Sequence, residues 1–210
     1  LKEAQPDVVL LQEIKCVEND FPWLGIQAAG YDAKVWGQKS YNGVAVLSRL
    51  KMKTICKGLP QFEDENARYL EVEIETENAP IVLASIYLPN GNPPYNAPHD
   101  ESKFEYKLKW MDAFYARAKD LLKQGKIVLL GGDYNVILTD DDVYNPVLFK
   151  NNALCREEVR QRFKAIEYLG WYDAYRALHP KDIGYTYWDY SGSALAADWG
   201  MRIDYFMLSP

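Results

Sequence analysis

Three stretches constrain this chain more than anything else in it: DVVLLQE (Asp7 to Glu13), APIVLASIYLP (Ala79 to Pro89) and KIVLLGG (Lys126 to Gly132). Each is nearly continuous in apolar residues, which suits a strand only where both faces of its sheet are covered. They predict inner strands with further layers on either side. By contrast YLEVEIET sets Leu70, Val72 and Ile74 against Glu71, Glu73 and Glu75. That alternation predicts a strand with one wet face, near an edge. YNGVAVLS (Tyr41 to Ser48) and RIDYFMLS (Arg202 to Ser209) complete the strand set.

Two helices stand out. From Glu101 to Gly125 the positions Phe104, Leu108, Met111, Tyr115, Ala118 and Leu122 recur every three or four residues, and Gly125 suits the left-handed stop. A second runs from about Arg156 to Leu169, with Val159, Phe163 and Ile166 on one face and Gly170 as its stop. PNGNPPYNAPHD and TDDDVYNP read as loops. Strands of both kinds with helices between them predict a layered α/β sandwich, not a doubly wound parallel sheet. The glycines form neither GxGxxG nor GxxxxGK[ST] after a strand, which weakens nucleotide-fold readings.

At 210 residues, with 48% apolar and 26% charged residues, one domain with a substantial core is expected. No uninterrupted apolar stretch is long enough to cross a bilayer and no signal sequence is visible. The three widely spaced cysteines, Cys16, Cys56 and Cys155, suggest neither a disulfide framework nor a metal knuckle. A soluble cytoplasmic monomer is the expectation. A net charge of −6 argues against binding nucleic acid through a generalised positive field. It fits clustered carboxylates that hold a divalent cation.

The polar residues gather where the strands stop. Gln12 and Glu13 end the first run, Tyr87 precedes LPNG, Asp133 and Asn135 follow the third run, and Asp204 follows Arg202. Strand ends let a rigid scaffold present several side chains to one point. If the backbone stays extended through Tyr134, Asp133 and Asn135 project to the same side. Ordinary readings stand beside these: Glu13 as a solvated strand end, Asp133 and Asn135 bonding their own turn, Tyr87 as a half-buried aromatic, Asp204 pairing with Arg202. No role is assigned to His99 or His179.

Five segments in order, LLQEIKC, YNGVAVLS, SIYLPNG, LLGGDYNV and MRIDYFMLS, together with ENARYLEVE and YTYWDY, resemble the exonuclease III family of abasic-site DNA endonucleases. That family lies within the endonuclease/exonuclease/phosphatase fold group. The resemblance implies a four-layered α/β sandwich, with two mixed β-sheets packed face to face and helices outside. It also implies Mg²⁺-dependent cleavage of duplex DNA 5′ to abasic sites, with exonuclease or repair activity at 3′ ends. Mn²⁺ is the alternative metal, since hard oxygen ligands and no Cys/His cluster suit either ion.

Carried over by position, Glu13 resembles the metal-binding glutamate. Asp133 resembles the residue that orients or deprotonates water, and Asn135 the amide that stabilises the phosphorus-centred charge; both also offer oxygens to the metal. Tyr87 is similar to the active-site tyrosine, and Asp204 to the aspartate that holds a catalytic histidine. Asn42, Arg68, Asn90 and Arg202 resemble phosphate or backbone contacts. Tyr187, Trp188, Met201 and Ile203 resemble the apolar wall of the abasic pocket; core packing is the plain alternative for these four.

Two family motifs lie outside the 210 residues: an upstream strand ending in a metal-binding Asn, and a downstream Ser-Asp-His. The expectation is a fold incomplete at both termini. Without the histidine, the rate should be roughly a hundred- to ten-thousand-fold below that of a full-length relative. Rival readings are a phosphodiesterase or phosphatase acting on another phosphoester, and a DNA-binding fragment without catalysis.

Overall fold

The computed structural model describes residues 1–190 and 192–210. In chain order the first elements are β1 Val8–Gln12, α1 Trp23–Ala28, β2 Asp32–Trp36, β3 Val44–Ser48, β4 Met52–Lys57, β5 Tyr69–Ile74 and β6 Ile81–Tyr87. Then come α2 Ser102–Lys123, β7 Ile127–Asp133, α3 Pro146–Phe149, α4 Glu157–Tyr168, β8 Tyr172–Asp173, α5 Ala174–Leu178, β9 Tyr187–Trp188, β10 Gly200–Met201 and β11 Asp204–Leu208. They fall into two units: residues 1–87, 120–132 and 209, and residues 88–119, 133–208 and 210.

In the first unit the alternation of β3 builds two layers at once. All five of its residues are buried. Ala45 and Leu47 face one cluster with Ala33, Val35, Phe21 and Tyr31, closed by Trp23 and Ile26 of α1. Val44 and Val46 face the other way, onto Leu70, Val72 and Ile74 of β5 and Leu83 of β6. The sheet β1-β3-β2 therefore has a helix on one side and a second sheet on the other, the face-to-face packing expected. The first sheet is antiparallel throughout, not mixed.

One strand placement and one strand face differ from expectation. β1 is not an inner strand: it pairs only with β3 and is half-buried at every position. Its continuous apolar run feeds both clusters, Val8 and Leu10 in one and Val9 and Leu11 in the other. β5 lies next to the edge strand β4, near an edge as expected, but neither of its faces is wet, with five of its six residues buried. Its glutamates have local partners. Glu71 is fully buried and accepts a 2.6 Å bond from the Tyr69 hydroxyl, while Glu73 pairs with Lys53 at 2.7 Å and Lys126 at 2.8 Å.

Gly132, at φ 138, marks where β7 passes close to β6. A Cβ there would lie 2.2 Å from the Ile86 carbonyl oxygen and 2.9 Å from the Gln12 amide nitrogen. The Gln12 amide in turn donates to Ser85 Oγ at 3.0 Å. The glycine serves close approach inside a strand.

The second unit has an aromatic core. Tyr134 meets Phe114, Phe163 and Tyr205 edge-on, with ring centroids 5.8, 5.5 and 5.4 Å away. Val159, Phe163 and Ile166 of α4 are buried as expected. The buried stripe of α2 is rotated from the expected one: Phe104, Lys107, Trp110, Met111, Phe114, Ala118 and Leu121 are buried, while Leu108, Tyr115 and Leu122 are only partly so. Trp110 and Phe114 offer more apolar surface than Leu108 and Tyr115, and that decides the rotation. β8 pairs with β11, and β9 with β10. Among the described residues no helix is long and apolar enough to cross a membrane, and none of the three cysteines forms a disulfide.

Replacing Gly132 with Ala should cost about 2–4 kcal/mol, since the side chain meets a backbone oxygen that cannot retreat without breaking strand pairing. Urea unfolding would measure it, and a loss under about 0.5 kcal/mol would mean the contact is not rigid.

Candidate active site

Within the first unit, Glu13 sits just past β1 in a left-handed conformation, φ 53, with Lys15 at φ 54 and Asn42 at φ 52. Such backbone in non-glycine residues costs about 1–3 kcal/mol each and persists only where the surroundings enforce it. Here the N–H groups of Ile14 and Lys15 donate to the carbonyls of Gly43 and Asn42 at 3.2 and 3.0 Å. The buried Asn42 carboxamide donates to Gln38 at 3.0 Å and to Asn66 at 3.1 Å. Its amide hydrogens bind the loop itself, so Asn42 shapes the segment facing it.

The Glu13 carboxylate accepts the Tyr87 hydroxyl at 2.7 Å and pairs with Lys15 at 2.7 Å. Burial works against its charge, but the hydrogen bonds from Lys15 and Tyr87 and the charges of Lys15 and Arg68 outweigh it, holding Glu13 below the usual carboxylate range. Arg68 lies over the Tyr87 ring, 4.8 Å from its centroid, and donates to the Tyr87 carbonyl at 3.3 Å. A charged carboxylate, a phenol and a guanidinium are thus held together.

In the second unit the chain after Asp133 does not stay extended. The Tyr134 N–H donates to the Ile203 carbonyl at 2.9 Å, its ring enters the core, and Asn135 turns at φ 47. The ordinary turn chemistry is present: Asp133 accepts the Asn135 N–H at 2.8 Å and its Nδ2 at 3.2 Å. But the same carboxamide also reaches outward. Asn135 Nδ2 donates to the Leu88 carbonyl at 2.9 Å, and its Oδ1 accepts Asn90 Nδ2 at 3.1 Å. The Leu88 N–H returns to the Asp133 carbonyl at 2.8 Å. Beneath them lies Lys107, which sequence reading passed over; burial pulls its pKa down to about 7. A lysine on an apolar helix stripe was the available signal.

Asp204 begins β11. Burial raises its carboxyl above the usual range, against the opposing hydrogen bond from Thr186, whose Oγ1 accepts the Asp204 N–H at 3.1 Å. It does not pair with Arg202. That arginine is 1% exposed and locked between Asp142 and Asp173, each at 2.7 Å. A side chain so enclosed cannot reach a DNA backbone, and the reading of Arg202 as a phosphate contact is corrected to a structural one. Burial opposes the charge of Asp142, yet Arg202, Arg176 and Thr139 hold its carboxyl below the usual range.

The four pocket candidates differ in burial, although Tyr187 pairs with Met201 and packs against its cluster. Met201 and Ile203, 8% and 5% exposed, pack in a core cluster with Val143, Leu154 and Ile137. Tyr187 and Trp188 are half-buried and line a cavity of about 590 Å³ with Tyr190 and Leu195.

Among the described residues no three His, Cys, Asp or Glu side chains gather as a metal cluster. What remains are single carboxylates and amide oxygens. That donor set still fits Mg²⁺, which keeps several waters and takes one or two carboxylates plus substrate phosphate.

Asp142→Ala, which leaves Arg202 half-paired in the interior, should cost roughly 3–5 kcal/mol in urea unfolding. Because the folded pKa of Asp142 is depressed, its contribution is complete above its unfolded pKa and lost as pH falls through the folded one. Stability should therefore drop below about pH 4, and Asp142→Asn should flatten that part of the profile. An unchanged acid profile in the variant would contradict this.

Comparison with known proteins agrees with the geometry. A model of the endonuclease/exonuclease/phosphatase family matches residues 1–210. The exodeoxyribonuclease of Bacillus subtilis is 29% identical over 214 residues, covering 100% of this chain and 79% of that protein. An AP endonuclease from Archaeoglobus fulgidus superposes with TM-score 0.89 at 29% identity, covering 100% of this chain and 79% of that one. A variant of the Neisseria 3′ phosphatase NExo, bound to product DNA hairpin, superposes with TM-score 0.88 at 31% identity, covering 98% and 77%. The chain belongs to the endonuclease/exonuclease/phosphatase family.

Proposed function

We propose that this chain is a DNA repair nuclease that hydrolyses the phosphodiester 5′ to abasic sites in duplex DNA and also trims 3′ ends, using Mg²⁺ or, in its place, Mn²⁺. The observation that carries the reading is the preparation of its polar residues before any substrate arrives. Glu13 is held charged by Tyr87 and Lys15, and Asp133, Asn135 and Asn90 are cross-bonded in one fixed arrangement. The names of its relatives, an exodeoxyribonuclease, an AP endonuclease and a 3′ phosphatase, support the substrate class.

Glu13 offers the cation an ionised hard oxygen. When bound, the ion supplies positive charge that this acidic chain otherwise lacks toward a phosphate. Asp133 orients the attacking water and draws off its proton, a task for which its turn bonds fix the carboxylate. Asn135 presents an amide dipole toward charge developing on the phosphoryl oxygens, with no reorganisation to delay it. The Tyr87 phenol lies beside the scissile phosphate, and Arg68 and Asn90 steady the flanking backbone. Tyr187 and Trp188 give the apolar wall that accepts a sugar without its base. Asp204, whose carboxyl burial raises above the usual range, is a hydrogen-bonding anchor for a histidine of the family motif.

On a duplex with a single abasic site, Asp133→Asn should lower kcat by about 10²–10⁴-fold with KM little changed. Glu13→Gln should instead raise the Mg²⁺ concentration that gives half-maximal rate. Equal metal dependence in Glu13→Gln and the parent would remove Glu13 from the cation site. Faster hydrolysis of a phosphoinositide than of the abasic duplex would favour the rival phosphoesterase reading, and metal-dependent DNA binding without any cut would favour the non-catalytic one.

A further inference from the structure

Lys107 is fully buried in the middle of α2, on the stripe that otherwise carries Phe104, Trp110, Met111 and Phe114. A lysine placed there must compensate for a desolvated ammonium, and its environment shows how. Nζ donates to the main-chain carbonyl of Asn90 at 3.0 Å and to that of Asn135 at 2.6 Å. Between them Gly91, at φ 85, leaves room for the lysine stem: a Cβ there would stand 2.6 Å from Lys107 Cδ. Residues 45 apart in sequence are thus fastened to one cation.

The side chains above those two carbonyls form a directional series. Asn135 Nδ2 points to Leu88 and Asp133, and its Oδ1 to Asn90 Nδ2. Asn90 Oδ1 accepts the N–H and Nδ2 of Asn92, and Asn92 Nδ2 donates to Asn152. Each carboxamide has its oxygen and nitrogen assigned by its neighbour. Such a series transmits a shift of either backbone directly to the Asn135 amide, because a flip there would set donor against donor. Both backbones that carry the Asn90–Asn135 contact are held from below by Lys107.

We propose that Lys107 is a positioning residue for the nuclease reaction. By clamping the main chains of Asn90 and Asn135 it fixes the orientation of the Asn135 carboxamide, a role that rests on the hydrolytic reading of Asp133 and Asn135 above. It touches no substrate and acts only through Asn135 and Asn90.

The test has two parts, each made with Lys107→Met and with Lys107→Gln, which keeps two N–H groups. In nitrogen-labelled protein without DNA, Lys107→Met should move the side-chain amide signals of Asn135 and Asn90 while leaving that of Asn42 in place. With an abasic duplex and Mg²⁺, Lys107→Met should lower kcat about 10–100-fold with KM within about threefold. The same substitution in an Asn135→Ala background should change kcat by less than about threefold, and Lys107→Gln should recover part of the loss. Equal losses in both backgrounds, unmoved Asn135 and Asn90 signals, or failure of both variants to fold would overturn the assignment. A parent chain that does not cut DNA would overturn the nuclease reading alone, and the amide spectra would then decide on Lys107.

Discussion

Close backbone approach at two strand ends sets the geometry on which the polar residues depend. In the first unit Gly132 lies so near Ile86 that a Cβ would overlap its carbonyl oxygen. In the second, the Leu88 N–H donates to the Asp133 carbonyl at 2.8 Å. Main chain held at such distances has little freedom, and side chains on it inherit that rigidity. Tyr87 and Asp133, the last residues of β6 and β7, are therefore aimed by the sheet itself.

Charge is used sparingly around them. Glu13 accepts the Tyr87 hydroxyl, and it is kept ionised by Lys15, Tyr87 and Arg68 acting against burial. Where charges are fully enclosed, as at Arg202 with Asp142 and Asp173, they are paired and serve structure. Where a lone cation is enclosed, as at Lys107, carbonyl oxygens receive it. The contrast separates a partly exposed carboxylate from enclosed charges that hold the frame.

Much of this was legible from residue pattern. The apolar runs located β1, β6 and β7, and the three-to-four spacing located α2 and α4. Pattern failed where tertiary partners overrode local periodicity. The glutamates of β5 read as a wet face because Tyr69, Lys53 and Lys126, which neutralise them, are invisible to alternation. The buried stripe of α2 was misplaced by one position since periodicity weighs Leu108 like Trp110, whereas packing does not. The short strands β8, β9 and β10 have two residues each and no periodic signal. For the polar residues, type and position at strand ends singled out Glu13, Tyr87, Asp133 and Asn135, and the structure bonds Tyr87 to Glu13 and Asn135 to Asp133. Arg202 was misassigned because its partners, Asp142 and Asp173, lie 60 and 29 residues away.

The central claim is hydrolysis, with water attacking phosphorus on a frame of oxygen donors. Cleavage of an abasic duplex in oxygen-18 water tests it most directly. The account predicts a cut on the 5′ side of the lesion, a free 3′-hydroxyl and one heavy oxygen on the new 5′-phosphate. A product without heavy oxygen, carrying an unsaturated sugar at its 3′ end, would contradict it by showing elimination at the sugar instead.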